Sequence, residues 1–374
     1  MPETDRRPLE IHSIAFRFDG SDVIPLKHHA LSDIPPPSIG RPTRLEPDLL
    51  ELPVDLDLGK PVPTPEYIEG ERNEPAAFVM GARPKIQVIF RQLPAYADEA
   101  LSIGASGNKG GVVERSVTPA FGASGLSDPV EFELASPLPQ TVGKLTLSLA
   151  WSAGNAGTPD ASIPIGSTEH MIYLTVDRPV APWENETPWV DALDLSCEWG
   201  SGATDRDTAA AAITRGLNAS PYLRYHGTTT FGASTFFLSS FLMLFRKEAV
   251  FHLNCTDCAD MIVTLANLLG CDLHQGKVFD LETRRFLKLA GDPADDADWV
   301  SCEWNFHEMA WLHGIGPQAS VYDGSLQLDT DKNDADTVHV PQLPAKMAFK
   351  NYKALLVEDG PCKPASSGSR RAVA

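Results

Sequence analysis

The stretch Asn254-Cys255-Thr256-Asp257-Cys258-Ala259-Asp260, continued by the apolar run Met261 to Leu269 and by Gly270, decides the reading of this chain. Ala259, Ile262, Val263, Leu265, Ala266, Leu268 and Leu269 recur at helical spacing, and Gly270 supplies a C-terminal stop. The spacing predicts a buried helix. Cys255 falls in its first turn, where unpaired backbone N–H groups and the positive end of the helix dipole stabilise a thiolate. A cysteine nucleophile is useful there, provided that a base and a group to orient the base are supplied from elsewhere.

Downstream, Phe306-His307-Glu308-Met309-Ala310-Trp311 reads as a strand, and Val321-Tyr322-Asp323-Gly324 as a second short strand running into a turn. The order Cys, His, Asp, with the cysteine on a helix and its partners on strands, resembles the transglutaminase-like branch of the papain-type cysteine enzymes. That family's nucleophile motif runs Cys-x-Asp-(aromatic)-Ala into an apolar helix ending in Leu-Gly. Cys255, Asp257, Ala259, Leu269 and Gly270 match it, with Cys258 in the aromatic position. The family's His-Ala-Trp strand is loosened here to His307-Glu308-Met309-Ala310-Trp311, and its aspartate element is matched by Tyr322, Asp323 and Ser325. The resemblance covers most of residues 190 to 345. It implies a Cys255-His307-Asp323 triad that performs acyl transfer at amide bonds of a protein or peptide substrate, by hydrolysis, deamidation or transglutamination, without metal or cofactor. The backbone N–H of Cys255 is the oxyanion donor the sequence names. Trp199, Asn254 and Trp311 are candidate substrate-binding or further donor groups.

Competing assignments are weaker on the residues themselves. Cys258 shares the first turn with Cys255, but family spacing selects Cys255 and leaves Cys258 as a small buried hydrophobe. Cys255-x-x-Cys258 as half of a zinc site lacks a second ligand pair, and as a redox motif lacks the strand and Gly-Pro context. His252 lies too close in sequence to approach the cysteine from an opposing strand, His313 sits at a strand end, and Asp329 has no matching context. Asp257 and Asp260 read as helix-dipole partners.

At 374 residues, 43% of them hydrophobic, the chain is long enough for two domains with cores of their own. A formal net charge of -19 argues against a nucleic-acid or anionic-membrane surface. Six scattered cysteines favour reduced thiols. The first residues lack an apolar signal core, which points to the cytoplasm or to export by a route that reads no signal peptide, a layout compatible with a bacterial effector.

Residues 1–83 are proline-rich and read as extended, with one strand over Glu10 to Phe18. Between 84 and 178, period-two alternation (Ile86, Val88, Phe90; Val130, Phe132, Leu134; Leu145, Leu147, Leu149, Trp151; Ile172, Leu174, Val176) predicts an antiparallel immunoglobulin-like β-sandwich. After the linker Arg178 to Trp183, residues 185–358 are expected to form an α+β domain of transglutaminase-like type. Within it, Thr204-Asp205-Arg206-Asp207 reads as a capping box opening a helix over Thr208 to Leu217, Phe231 to Phe245 as a core helix, and Lys277 to Leu281 with Phe286 to Leu289 as a hairpin. Residues 364–374 read as a disordered tail. Ser-Cys-Glu-Trp occurs at Ser196 to Trp199 and at Ser301 to Trp304 without wider similarity, a coincidence and not a repeat. The expectation from the sequence is therefore a cysteine acyl-transfer enzyme. The alternative is a catalytically silent scaffold or binding protein on the same fold.

Overall fold

A computed structural model describes residues 7–16, 23–29, 60–96, 100–155, 162–232, 234–282, 287–291, 299, 303–312, 316–330, 339–357, 363–364 and 370–374. The chain divides into two compact units, Met1–Leu26 with Pro61–Thr175 and Lys27–Lys60 with Val176–Ala374. Most of the regular structure is β, and no helix among the described residues is long and apolar enough to cross a membrane.

The first unit holds β1 (Leu9–Ala15), β2 (Val23–Ile24), β3 (Tyr67–Ile68), β4 (Arg72–Asn73), β5 (Ala76–Val79), β6 (Lys85–Gln92), β7 (Leu101–Gly107), β8 (Val112–Val117), β9 (Val130–Glu133), β10 (Gly143–Asn155) and β11 (Ile163–Thr175). They form two sheets, β4-β3-β1-β6-β9 and β2-β5-β11-β10-β7-β8. Ile86, Val88 and Phe90 of β6 are buried together with Leu147, Leu149 and Trp151 of β10 and Ile172 and Leu174 of β11, so the alternating side chains of both sheets share one core. Trp151 is fully buried, packs edge-to-face on Phe132 at 5.5 Å, and donates its indole N–H to Thr168 Oγ1 at 3.1 Å.

Two expectations are corrected here. The unit does not begin at residue 84: β1 lies between β3 and β6 with Ile14 opposite Val88, and Leu9, Ile11 and Ile14 sit in the common core. Nor is it wholly antiparallel, because β5 pairs with β11 in parallel, Ala76 opposite Ile172. Among the described residues, Pro8, Pro25, Pro63, Pro65 and Pro75 stand outside the strands, where a missing backbone donor is harmless. The proline-rich stretch 30–59 lies outside the described residues.

The second unit holds α1 (Val190–Trp199), α2 (Arg206–Asn218), β12 (Leu223–Tyr225), β13 (Thr235–Phe236), α3 (Leu238–Arg246), β14 (Phe251–Leu253), α4 (Cys255–Leu268), β15 (Leu273–Glu282), β16 (Leu287–Leu289), β17 (Glu303–Leu312), β18 (Ser320–Tyr322), β19 (Leu326–Asp329), β20 (Pro341–Gln342), β21 (Ala345–Ala348), α5 (Phe349–Leu356), β22 (Lys363–Pro364) and β23 (Ala372–Val373). Its main sheet runs β21-β18-β17-β15-β22. Helix α4 packs on β15 and β17, while Val278, Met309, Trp311 and Val321 form a core with Phe349, Tyr352 and Leu356 of α5. Every residue of α4 is buried, as its periodicity requires of a helix enclosed by α1, α2 and the sheet. It ends where expected: Gly270 adopts φ 86° and faces the backbone of Asp177, a position with neither the conformation nor the room for a side chain.

Four local expectations differ. Strand β15 pairs along its length with β17, and β16 pairs with β19, so the hairpin between 277–281 and 286–289 does not form; Phe286 lies outside the described residues. Alternation fixes which face a strand buries, not which neighbour it takes. The apolar run from Phe231 becomes helix only at Leu238, and α2 is capped by Asp205, which accepts from Thr208 N at 2.8 Å, one residue later than the expected box. Residues 370–374, expected as part of a disordered tail, form a bridge-paired segment in which Ala372–Val373 lies parallel to Thr235–Phe236.

Replacing Trp151 by Ala removes the largest side chain at the centre of the first unit and leaves Thr168 Oγ1 with the His170 ring at 2.9 Å as its remaining side-chain partner. Urea unfolding followed by far-UV circular dichroism is expected to show a loss of about 3–5 kcal/mol, and a loss below about 1 kcal/mol would show that the two sheets do not depend on this contact.

Candidate active site

The site is built from the start of α4. Asn254, the residue before the helix, accepts from Asp257 N at 3.1 Å, and Asp257 in return accepts from Asn254 N at 3.2 Å, a reciprocal capping box. Asp257 does more than cap. It is fully buried, with Oδ1 accepting from Phe231 N at 2.8 Å and Gly232 N at 2.6 Å and Oδ2 from Thr230 N at 2.8 Å. Burial pushes its carboxyl pKa up and these backbone donors only partly oppose it. The outcome is a fixed helix start, with Cys255 as its first residue and the Cys255 N–H among the groups a helix leaves without an internal partner.

His307 comes from the middle of β17. Its Nε2 lies 2.7 Å from Asp323 Oδ2, just beyond the end of β18. Asp323 Oδ1 accepts from Ser325 N at 2.9 Å and Ser325 Oγ at 2.6 Å, and Oδ2 also accepts from the Tyr352 hydroxyl at 2.8 Å. An ionised carboxylate only accepts, so Nε2 carries the proton that this bond needs. Nδ1 is buried and makes no hydrogen bond, which leaves it for Cys255, whose thiol interacts with the ring. Trp304 stacks on the imidazole, with centroids 4.8 Å apart and planes at 24°.

Electrostatics follow from this layout. Burial alone would lower the pKa of His307, but Asp323 and then Cys255 outweigh it and push the ring up to about 10. Burial opposes ionisation of Asp323 as well, and His307 and Ser325 hold its carboxyl below the usual value. Cys258 is buried, and burial first, then the surrounding acids, raise its thiol well above the ordinary range. Such a thiol stays protonated, in keeping with a packing role. The Tyr225 hydroxyl is raised by burial and by Cys255, Cys258 and Asp323, which places this residue of β12 at the site.

The structure brings Cys255, His307 and Asp323 together and assigns the remaining candidates elsewhere. Asn254 spends its carbonyl oxygen on the cap and donates Nδ2 to Thr229 Oγ1 at 2.7 Å, so it is a helix cap and not a free donor. Trp199 packs on Phe245 and lines a cavity with Asp191, Asp194 and Tyr222 that contains none of the three. Trp311 is wholly buried against Phe349, in the core shared with α5. His252 is exposed beside His226, His313 lies outside the described residues, and Asp329 accepts from Val340 N and pairs with His339 at 2.8 Å. Asp260, in the second turn of α4, pairs with Arg371. Trp304, Tyr225 and Tyr352 are the site residues that sequence reasoning missed. Trp304 alone left a trace, as the last residue of the second Ser-Cys-Glu-Trp. No group of three or more His, Cys, Asp or Glu residues suited to a metal ion occurs among the described residues.

Comparison with protein-family models and with curated proteins gives no match. Among solved structures, the chain is similar to red sea bream transglutaminase at a TM-score of 0.32 and 14% identity, over 72% of this chain and 51% of that one. The chain thus spans about half the length of that enzyme. A likeness at this level adds nothing to what the site geometry carries.

Two outcomes are expected. The stabilising contribution of His307 is fully present below the unfolded value of 6.5 and is lost as pH rises through about 10. Ring resonances of nitrogen-labelled histidine should therefore titrate near 10 in the parent protein and lower in Cys255→Ala, whereas a parent value near 6.5 would show that the pairing is absent. Asp257→Asn turns an amide N–H₂ toward backbone donors and should lower the stability of the second unit by about 2–4 kcal/mol in urea.

Proposed function

We propose that the second unit is a transglutaminase-like cysteine acyl-transfer enzyme in which Cys255 is nucleophile, His307 the acid and base, and Asp323 the orienting acid. The observation that carries this reading is the His307–Asp323 bond at 2.7 Å, which commits Nε2 and leaves buried Nδ1 facing the chemistry of Cys255 at a helix start. The proton that Cys255 gives up sits on His307 Nδ1, whose ring stays charged below about pH 10, and sulfur attacks the carbonyl carbon of an amide in a protein or peptide substrate. The oxygen takes up the electron pair and is met by the Cys255 N–H. Collapse breaks the C–N bond, and His307 returns the proton to the departing amine or ammonia. Water then attacks the thioester to complete hydrolysis or deamidation, or a substrate amine attacks to form a cross-link. In each case His307 accepts the proton of the attacking group and sulfur leaves.

The first unit is proposed as an immunoglobulin-like sandwich and carries none of these groups. Action as an effector exported without a signal peptide is part of the same proposal. A second reading, a silent scaffold, is favoured by one observation: Cys255 is 5% exposed, His307 0% and Asp323 1%. Iodoacetamide at neutral pH separates the two. Fast labelling at Cys255 alone supports the enzyme, and slow, unselective labelling supports the scaffold.

Single-turnover kinetics on a glutamine-containing peptide, read as ammonia or amine release, test the roles. Cys255→Ala should abolish turnover, with no further loss on adding His307→Ala. Asp323→Asn should lower the rate about 10³–10⁴-fold with the fold intact. Cys258→Ala should stay within about threefold of the parent, since this position only packs. Retained turnover in Cys255→Ala would exclude the mechanism.

A further inference from the structure

At Thr256 and Asp260 of α4, and at Glu308 one residue beyond His307 on β17, the second unit buries a second set of polar and charged groups. Asp260 is 0% exposed and Glu308 1%. Thr256 Oγ1 donates to Glu308 Oε2 at 2.8 Å, and the Gln275 amide donates to Asp260 Oδ1. Between the two carboxylates lies the guanidinium of Arg371, with NH1 2.6 Å from Asp260 Oδ1 and NH2 3.1 and 3.4 Å from the two oxygens of Glu308. Asp260 Oδ2 is buried and still lacks a partner. Lys277 pairs with Glu308 at 3.6 Å from a more exposed position, over the ring of Phe306.

The backbone around Arg371 is held as an added strand. Thr235 pairs with Ala372 and Phe236 with Val373 in parallel. Ala374 N donates to Phe236 O at 3.0 Å, and Ala374 O accepts from Ser239 N and Ser239 Oγ, both at 3.1 Å, in the first turn of α3, which has no side-chain cap of its own. Arg370 donates through Nε to Leu273 O at 2.8 Å and also pairs with Asp272. This is strand addition with a charged anchor in a pocket, a recurrent way of holding an extended peptide.

Two carboxylates closed away from water demand a cation with several donors, and the fork of a guanidinium suits acceptors on two different elements in a way an ammonium does not. The ladder beside it is only two residue pairs long, too short to hold the segment without that anchor.

We propose that Asp260, Glu308, Gln275 and Thr256 form a guanidinium-binding site for an extended peptide, filled in this chain by residues 370–374, and that its occupation clamps the helix bearing Cys255 to the strand bearing His307. The clamp rests on the proposed roles of those two residues, and the binding site does not. It also gives a reason for Glu308, which with Met309 is where this strand departs from the family's His-Ala-Trp pattern: it is the strand's half of the arginine site. Burial pushes Asp260 up to about 8, opposed chiefly by Arg371, with Glu308 and Asp257 raising it further. That value holds with Arg371 in place and an empty site would titrate higher, so binding should release a proton and strengthen as pH rises through 8 and above.

The test uses the chain lacking residues 370–374 and the peptide Arg-Arg-Ala-Val-Ala. Calorimetry should show saturable one-to-one binding, at least about tenfold weaker for a peptide with alanine in place of the second arginine. Peptide addition should also restore the iodoacetamide rate at Cys255 toward that of the full chain. No binding to a folded truncated chain, or equal binding of both peptides, overturns the site. An alkylation rate unaffected by truncation overturns the clamp. Should the truncated chain fail to fold, amide hydrogen exchange on full-length Arg371→Ala decides instead. Faster exchange across Ala372–Ala374 supports the anchor, and unchanged exchange overturns it. Because binding is read without turnover, a catalytically silent Cys255 would leave the binding result standing.

Discussion

A single buried carboxylate holds the start of α4 and the loop beside it in place. Asp257 accepts four backbone N–H groups, three from the loop at Thr230, Phe231 and Gly232 and one from Asn254. A charged acceptor inside a protein is tolerable only when its lone pairs are satisfied, and hydrogen bonds to charged groups contribute about 1.5–3 kcal/mol each. The same carboxylate therefore fixes two things. It sets the first turn of α4, and with it the direction of Cys255. It also sets the loop that leads into Thr235–Phe236, the strand on which residues 370–374 are laid. Gly232 is part of that closeness: a side chain there would run into Asp260.

From this anchor the charges divide along one strand. His307 pairs with Asp323, and its neighbour Glu308 pairs with Arg371 and Thr256. Successive residues of a strand point to opposite faces, so two adjacent positions of β17 serve two separate networks. Both networks meet the first two turns of α4, through Cys255 in one and Thr256 and Asp260 in the other. In a chain of net charge -19, a buried acid is readily supplied and a buried cation is the scarcer component, which gives Arg371 its weight.

How much of this was legible in the sequence depends on the range of each contact. The helix over 255–268, its stop at Gly270 and the apolar alternation of β6 and β10 are local patterns, and each is present in the structure. His307 and Asp323 were found through spacing that resembles a known motif, and Ser325 lies in the same motif. Tyr352 was not, because its bond to Asp323 spans 29 residues with nothing periodic to announce it, and the Arg371–Asp260 bond spans 111. Trp311 was misassigned for an instructive reason. Sharing a strand face with His307 is not sharing a site, because that face runs on from His307 into the core of Val321 and Phe349. The paired Ser-Cys-Glu-Trp segments lead to unlike places, Trp199 against Phe245 and Trp304 against His307, as a coincidental repeat should.

The two networks obey the same rule, and that rule makes the site a unit. Removing one member of a well-bonded buried ion pair strands the other, and the stranded charge, more than the lost attraction, dominates the penalty. Without Asp323, burial would push His307 down and the ring would lose its charge; without His307, burial would push Asp323 up. Without Arg371, Asp260 and Glu308 would face each other, and the Gln275 and Thr256 donors could not compensate two negative charges. Each pair thus persists only while its partner elements stay docked. The elements concerned are α4 and β17 in both cases, so the tightness with which the second network closes bears directly on whether the first can form.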